Sequence, residues 1–188
     1  DSFIRAMRQK GYTDLELETA RLAGRTKTGR MYPFFRGRVM FPIIDIRGDV
    51  VAFGGRVIRG DGDGRKYINS SDTPVYSKSR TLYAMNLAKK TKADKFILCE
   101  GNIDVIALHQ AGFDSAVASC GTAFTAEQAR LLSKYTKEVV ICYDADAAGQ
   151  KATEKAIDIL NQNGLSVRVL RLPVEAGEKN FTLEETLT

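Results

Sequence analysis

Cysteine and histidine are scarce in the 188 residues, with three of the first and one of the second. Cys99, Cys120 and Cys142 stand about twenty residues apart inside apolar stretches, with only His109 to join them, which argues against a zinc module or a disulfide framework. Buried small hydrophobes are the reading for the three thiols, and a reducing cytoplasm the compartment. Long hydrophobic runs are lacking as well: none approaches the roughly 18 residues needed to cross a bilayer, so a membrane partner is not expected. The opening DSFIRAMRQKG has no charged start, apolar stretch and small-residue cleavage site in that order, so no secretory signal is read, and Asp1 suits an excised piece of a longer chain. With 44% hydrophobic and 27% charged residues the composition is that of an ordinary folded chain, long enough for one large domain or two small ones tightly joined.

Negative charge is thin in the first half. Residues 1–90 hold 18 Lys and Arg against 9 Asp and Glu, whereas residues 91–188 hold 10 against 14, so a net +5 conceals +9 facing −4. Self-repelling positive charge suits a polyanion or nucleotide, and excess carboxylate suits cations, although basic residues also simply solvate surfaces.

The pattern along the chain changes character. Phe3, Ile4 and Met7 have helical spacing until Gly11 breaks it, and Thr13 followed by Glu16 reads as a capping box opening a second short helix. GRVMFPIID, a turn at IRGDV, and VVAFGGRVI then read as an antiparallel hairpin. The Gly-, Asp- and Ser-rich stretch RGDGDGRKYINSSDTPVYSKS reads as a mobile or ligand-ordered loop carrying Lys66, Tyr67 and Lys78, leading to a helix near 81–91. Beyond Thr91, short apolar runs alternate with helical segments: KFILCE, NIDVIALHQAG, SAVAS, TAEQARLLSKY, EVVICYD, AAGQKATEKAIDILNQNG and SVRVLRL. Such alternation with short connections predicts an α/β fold with a parallel sheet over residues 95–172, its strands covered on both faces.

Ligands of such sheets sit beyond the carboxyl ends of the strands. Glu100 ends the first run there, and Asp144 and Asp146 end EVVICYD. If 144–146 stay extended, the two Asp Cα atoms lie about 7 Å apart on one face and their side chains can share an ion. Asp104, in the first turn of the next helix, could face the same cleft. Hard oxygen donors of this kind describe a Mg²⁺ site, which serves phosphoryl transfer. Asp104, Asp144 and Asp146 could equally act as helix caps; Glu100, ending an apolar strand before Gly101, has no comparable capping use. His109 sits near a helix C-terminus, where a cation is favourable.

EGNIDVIALHQAGFDSAVASCGTAFTAEQARLL with VVICYDADAAGQKA resembles the Toprim domain, with its Glu-Gly strand end and D-x-D-x-A-G element. RGRVMFPIID, VVAFGGRVI, KYINSSDTPVYSKS and TLYAMNLAKK resemble the RNA-polymerase core of DnaG-type bacterial primases. The likeness runs from about Gly11 to Leu172. It implies a basic α+β subdomain with an antiparallel hairpin over 1–92, a Toprim-type parallel sheet flanked by helices over 93–175, and an altered or truncated tail over 176–188. It also implies that Glu100, Asp104, Asp144 and Asp146 hold Mg²⁺, with Mn²⁺ able to substitute. Arg56, Lys66, Asn69 and Lys78 would meet nucleotide and template, with Arg36 and Arg38 as further phosphate contacts. Lysines supply point charges to a triphosphate and arginine a forked phosphate ligand. The sequence departs from the family after its last strand: the usual aspartate pair is missing from LPVEAGEKNFTLEETLT, and Glu175, Glu178, Glu184 and Glu185 do not reproduce its spacing.

The expected function is therefore template-directed synthesis of short RNA primers on single-stranded DNA from nucleoside triphosphates, by a monomer. A replicative helicase would be a partner only through a region these residues do not contain. Two other readings use the same carboxylates differently: a Toprim nuclease that cleaves phosphodiesters, for which KYINSSDTPVYSKS has no evident use, and a catalytically impaired nucleotide- or nucleic-acid-binding module.

Overall fold

A computed structural model describes residues 2–58 and 64–170. The chain opens with α1 (Ser2–Gln9) and α2 (Asp14–Thr19). Thr13 caps α2 as its sequence implies: its hydroxyl accepts the Glu16 N–H at 3.2 Å while the Glu16 carboxylate takes the Thr13 N–H at 2.7 Å. Ile4 and Leu17 pack with Ala23 and Met31 of a small antiparallel ribbon, β1 (Ala23–Arg25) and β2 (Met31–Pro33).

The expected hairpin is β3 (Arg38–Ile44) and β4 (Val50–Val57). Its turn is organised by Asp45, whose carboxylate accepts the N–H groups of Arg47, Gly48 and Asp49 at 2.8–3.1 Å, with Gly48 at φ +106°. A third strand, β5 (Tyr67–Asn69), adds to β4 with Gly54 opposite Asn69 and Arg56 opposite Tyr67. Residues 67–69 are thus strand rather than loop; three residues between Lys66 and Ser70 carry little local signal, and the pairing comes from the neighbouring strand. The helix expected over 81–91 is likewise shortened. Leu82 and Tyr83 form β6 (Leu82–Tyr83), Ala84 takes a left-handed turn at φ 61°, and α3 (Met85–Ala88) follows.

The parallel sheet is as predicted in kind. Its elements in chain order are β7 (Lys95–Cys99), α4 (Asn102–Gln110), β8 (Ala116–Ser119), α5 (Ala126–Leu132), β9 (Glu138–Cys142), α6 (Ala147–Gln162) and β10 (Ser166–Val169). Spatial order is β10-β9-β7-β8-β6, all parallel except β6, which runs antiparallel to β8. So β6, on the first side of the expected 92/93 division, is hydrogen-bonded into this sheet.

Alternation along the strands covers both faces. Phe96, Leu98, Val139 and Ile141 pack with Leu132 and Leu160 of α5 and α6, while Cys99, Ala116 and Ala118 pack with Val105 and Leu108 of α4. From β7 the chain moves to β8 on one side, then crosses to β9 on the other. The carboxyl ends of β7 and β9 therefore flank a topological switch point. Among the described residues no helix is long and apolar enough to cross a membrane.

Candidate active site

The switch point puts Glu100 and Asp144 side by side. Cys99 and Cys142 are in register across β7 and β9, and the next turns carry the two carboxylates out of the sheet. The Asp144 N–H donates to Glu100 Oε2 at 3.2 Å. β9 stops at Cys142, so the chain does not remain extended through Asp146. It turns into α6, and Asp146 becomes the N-cap, its Oδ1 accepting the Gly149 N–H at 2.7 Å. Gly149 explains the D-x-D-x-A-G spacing: a Cβ there would overlap the carbonyl of Asp144, so only glycine lets α6 begin this close to the rim. Asp104 Oδ2 takes the Gly101 N–H at 3.1 Å in the first turn of α4. Both Asp104 and Asp146 thus do the capping work that was the alternative to metal binding, and Asp104 still faces the cleft.

Opposite this rim stands the β3–β4–β5 sheet. A cavity of about 630 Å³ lies between them, lined on one wall by Arg56, Lys66, Tyr67 and Asn69 and on the other by Glu100, Asn102, Asp104 and Asp144. Both cations stand over the Tyr67 ring, the Arg56 guanidinium carbon 5.5 Å and the Lys66 ammonium 5.9 Å from its centroid. Neither cation is ion-paired among the described residues, so both charges are available to an anion. Asn69 is wedged where β5 meets the rim; a Cβ on Gly54 or Gly121 would run into its amide.

The remaining sequence candidates lie elsewhere. Arg38 is 8% exposed, and its guanidinium donates to the carbonyls of Gly55, Arg65 and Lys66 at 2.9–3.4 Å. It holds the Lys66 backbone in place instead of presenting charge. Arg36 is exposed and lies outside the cavity lining. Lys78 also lies outside it; its N–H donates to Asp72 at 2.9 Å and its carbonyl accepts from Gln128 at 2.9 Å. Asp146 is not a lining residue either. The tail carboxylates Glu175, Glu178, Glu184 and Glu185 and residues 176–188 are outside the described residues.

Tyr67, read from the sequence as part of a mobile or ligand-ordered loop, is fixed by the cross-strand pairing with Arg56. Several other cavity residues gave no signal as site residues in the sequence: Asn102 is fixed by its place opening α4. Ser119 and Gly121 follow from the strand-end rule applied to a third strand, β8. Gln128, fully buried, closes a capping box with Thr125 and donates to the carbonyls of Lys78 and Thr81, bolting that segment to α5.

Among the described residues, no three carboxylate, imidazole or thiolate groups converge on one point. The rim is instead a carboxylate pair, Glu100 and Asp144, with Asp104 on the same cavity. This donor set fits a hard divalent ion that takes one or two carboxylates and fills its shell with phosphate oxygens and water.

An open parallel sheet with carboxylates at its switch point and a basic antiparallel sheet across the cleft defines a Toprim-type nucleotide-handling protein. Residues 97–182 match the family model described as Toprim-like, and residues 1–89 match that of the DNA primase catalytic core, N-terminal domain. The chain belongs to the family of DnaG-type primase catalytic cores, whose Toprim members are as a rule metal-dependent. A DNA primase of Clostridium acetobutylicum is 46% identical over 168 residues, 89% of this chain and 28% of the relative. The solved zinc-binding and RNA-polymerase domains of the Aquifex aeolicus primase superpose with a TM-score of 0.83 at 40% identity, covering 92% of this chain and 43% of that one. A DnaG primase catalytic domain bound to single-stranded DNA superposes with a TM-score of 0.79 at 37% identity, covering 89% and 54%. The chain therefore spans less than a third of that curated relative.

Proposed function

We infer that this chain is the nucleotidyl-transferring core of a primase, joining ribonucleotides on a single-stranded DNA template. The observation that carries the reading is the single cavity in which Arg56, Lys66 and Asn69 face Glu100, Asp104 and Asp144. A nucleoside triphosphate matches it end to end: polyanion against two cations that have no ion pair among the described residues, and phosphate oxygens toward the carboxylate pair. Arg56 and Lys66 would bind the triphosphate and neutralise the charge that develops on the leaving pyrophosphate, and Asn69 would orient the nucleotide. Glu100 and Asp144, with Asp104 beside them, would hold Mg²⁺, for which Mn²⁺ can substitute. When bound, that ion supplies Lewis-acid polarisation of the phosphoryl oxygens. Catalysis by such a site is positioning and electrostatics, with no covalent intermediate on the protein.

Template phosphates have a place on the basic first half. A groove of about 650 Å³ on α1 and β1–β2 is lined by Arg5, Arg8, Arg25 and Arg30. Arg8 and Arg25 are braced by Asp14, while Arg5 and Arg30 have no ion-pair partner among the described residues. The solved relative that binds single-stranded DNA supports a template of that kind. Replacing one arginine that meets a phosphate of the single strand should reduce the slope of log affinity against log salt by about 0.7.

The direct test is synthesis of labelled oligoribonucleotides on single-stranded DNA with Mg²⁺ or Mn²⁺, comparing the chain with Glu100→Gln. Products that vanish in the variant are expected. Absence of product from the unsubstituted chain, or undiminished product from Glu100→Gln, overturns the reading.

A further inference from the structure

We propose that a pair of carboxamides, Asn69 of β5 and Asn102 of α4, reads the ribose of the incoming triphosphate and makes the site prefer ribonucleotides to deoxyribonucleotides. The proposal rests on the polymerase reading above and assigns a use to the neutral part of that cavity.

The two side chains come from opposite walls and meet over Gly54 of β4. A Cβ on Gly54 would stand 2.7 Å from Asn69 Oδ1 and 3.0 Å from Asn102 Nδ2, so glycine leaves the space into which both amides lean. Gly54 is buried and pairs with Asn69 across the two strands, which makes it the floor of a notch walled by an acceptor and a donor. Asn69 and Asn102 are half-buried and line the cavity, and neither carboxamide has a hydrogen-bond partner among the described residues. Their approach to one point brings Oδ1 and Nδ2 near enough for a single oxygen to reach both at ordinary hydrogen-bond lengths.

A hydroxyl is the group that satisfies both atoms at once, donating to Oδ1 and accepting from Nδ2. An ionised phosphate oxygen only accepts, and the amino group of a base only donates. Charge sorts the ligand in the same sense. Arg56 stands two residues along β4 from Gly54 and Tyr67 two residues along β5 from Asn69, so a cationic row and a neutral row follow each other about 7 Å apart on one face of the sheet. The cationic row suits the phosphates and the neutral row an uncharged part of the same molecule.

An enzyme that copies a template has to accept all four bases. Side chains fixed in its nucleotide site therefore gain most from the groups that every nucleotide shares, the phosphates and the sugar. Arg56, Lys66 and the carboxylate rim answer the phosphates, which leaves the sugar hydroxyls for the amides. Of these, the 2′-hydroxyl is the one that separates a ribonucleotide from its deoxy analogue. The analogue leaves Oδ1 and Nδ2 without their partner, and that loss is what rejects it.

The test measures equilibrium affinity for ATP and for 2′-deoxy-ATP with Mg²⁺, in the chain, in Asn102→Leu and in Asn102→Ala, beside incorporation of both nucleotides on single-stranded DNA. The unsubstituted chain should bind ATP about tenfold more tightly than 2′-deoxy-ATP, and both variants should lose that preference by weakening ATP alone, with 2′-deoxy-ATP held within about twofold. Leucine keeps the branched shape of the side chain and alanine removes it, so a shared result assigns the effect to the amide and not to packing. Equal weakening of the two nucleotides in both variants, a preference that survives in both, or no preference in the unsubstituted chain overturns the proposal. Incorporation with a preference that the variants leave unchanged would remove this contact and leave the polymerase reading standing. A preference lost as expected with no incorporation by the unsubstituted chain would do the reverse.

Discussion

The two walls of the cleft are built by opposite strategies. The basic wall sits on an antiparallel sheet, with its charges at the ends of long side chains whose backbones are clamped from below. Arg38 holds the carbonyls at 55, 65 and 66, and both cations stand over the Tyr67 ring. The acidic wall sits at the ends of parallel strands, where the Asp104 carboxylate takes the Gly101 N–H within its own turn and the Glu100 carboxylate takes the Asp144 N–H from the neighbouring strand end. Cations on flexible stems can follow a triphosphate through binding and departure. Carboxylates that must set a reaction geometry are better served by short side chains at strand ends, where the Asp144 N–H tethers Glu100 and the Gly101 N–H tethers Asp104.

If that division is right, the walls separate kinetically. Asp144→Asn keeps the backbone hydrogen bond to Glu100 but removes one of the paired charges. Single-turnover nucleotide addition should fall about 100- to 1000-fold with the triphosphate KM little changed and the circular dichroism spectrum unaltered. A variant that retains kcat would place the essential charge elsewhere.

Gly149→Ala attacks the same wall without touching a charge. The added methyl overlaps the Asp144 carbonyl, so either α6 or the Asp144 turn must shift. The expected cost is about 1–3 kcal/mol of stability, typical of overpacking, with kcat reduced about tenfold or more because a small displacement of a catalytic group is expensive. Denaturant unfolding beside kinetics reads both. Unchanged kcat at reduced stability would show that the rim tolerates movement, which breaks the comparison.

On the basic wall, Lys66→Ala should raise the triphosphate KM about tenfold while kcat stays within about threefold, and added salt should narrow the gap from wild type. An equal fall in kcat and kcat/KM would mean that the charge acts only in the transition state, and the walls would no longer differ in kind.

How far the sequence revealed this depends on whether a feature is local. The parallel sheet was legible because each strand is a short apolar run with its own helix, and Glu100 stood out because nothing local explains a Glu there. The α2 capping box was legible for the same reason. β5 and β6 were not: Tyr67–Asn69 and Leu82–Tyr83 become strands only because β4 and β8 offer open edges. Arg38 shows the converse limit, since a basic residue beside the hairpin reads as a phosphate ligand until its guanidinium is found spent on three carbonyls. The pairing of Asp144 with Glu100, and not with Asp146, depends on where β9 stops, and Tyr143 and Asp144 just past that end read equally well as strand in the sequence.

The smallest expected effect contrasts α2 and the first ribbon with the parallel sheet. Arg8 donates to both oxygens of Asp14 at 2.8 and 2.9 Å, and Arg25 adds a third hydrogen bond, so the guanidinium groups hold the Asp14 carboxyl below its ordinary range. The Thr13 N–H and hydroxyl do the same for Glu16. A carboxylate whose pKa is lowered by folding contributes stability above its unfolded value, near 4, and that contribution is lost as pH falls through the depressed folded value. The sheet core has apolar side chains with neutral thiols and phenols, burial pushing the Cys99 thiol up, so acid removes nothing from it directly. Amide exchange followed from pH 6 to pH 2.5 should therefore show protection lost at Leu17 and Ala20 while Leu98 and Ile141 keep theirs, and salt should reduce the starting advantage of α2 because its ion pairs are exposed. Simultaneous loss at all four amides would mean that the two regions unfold as one unit.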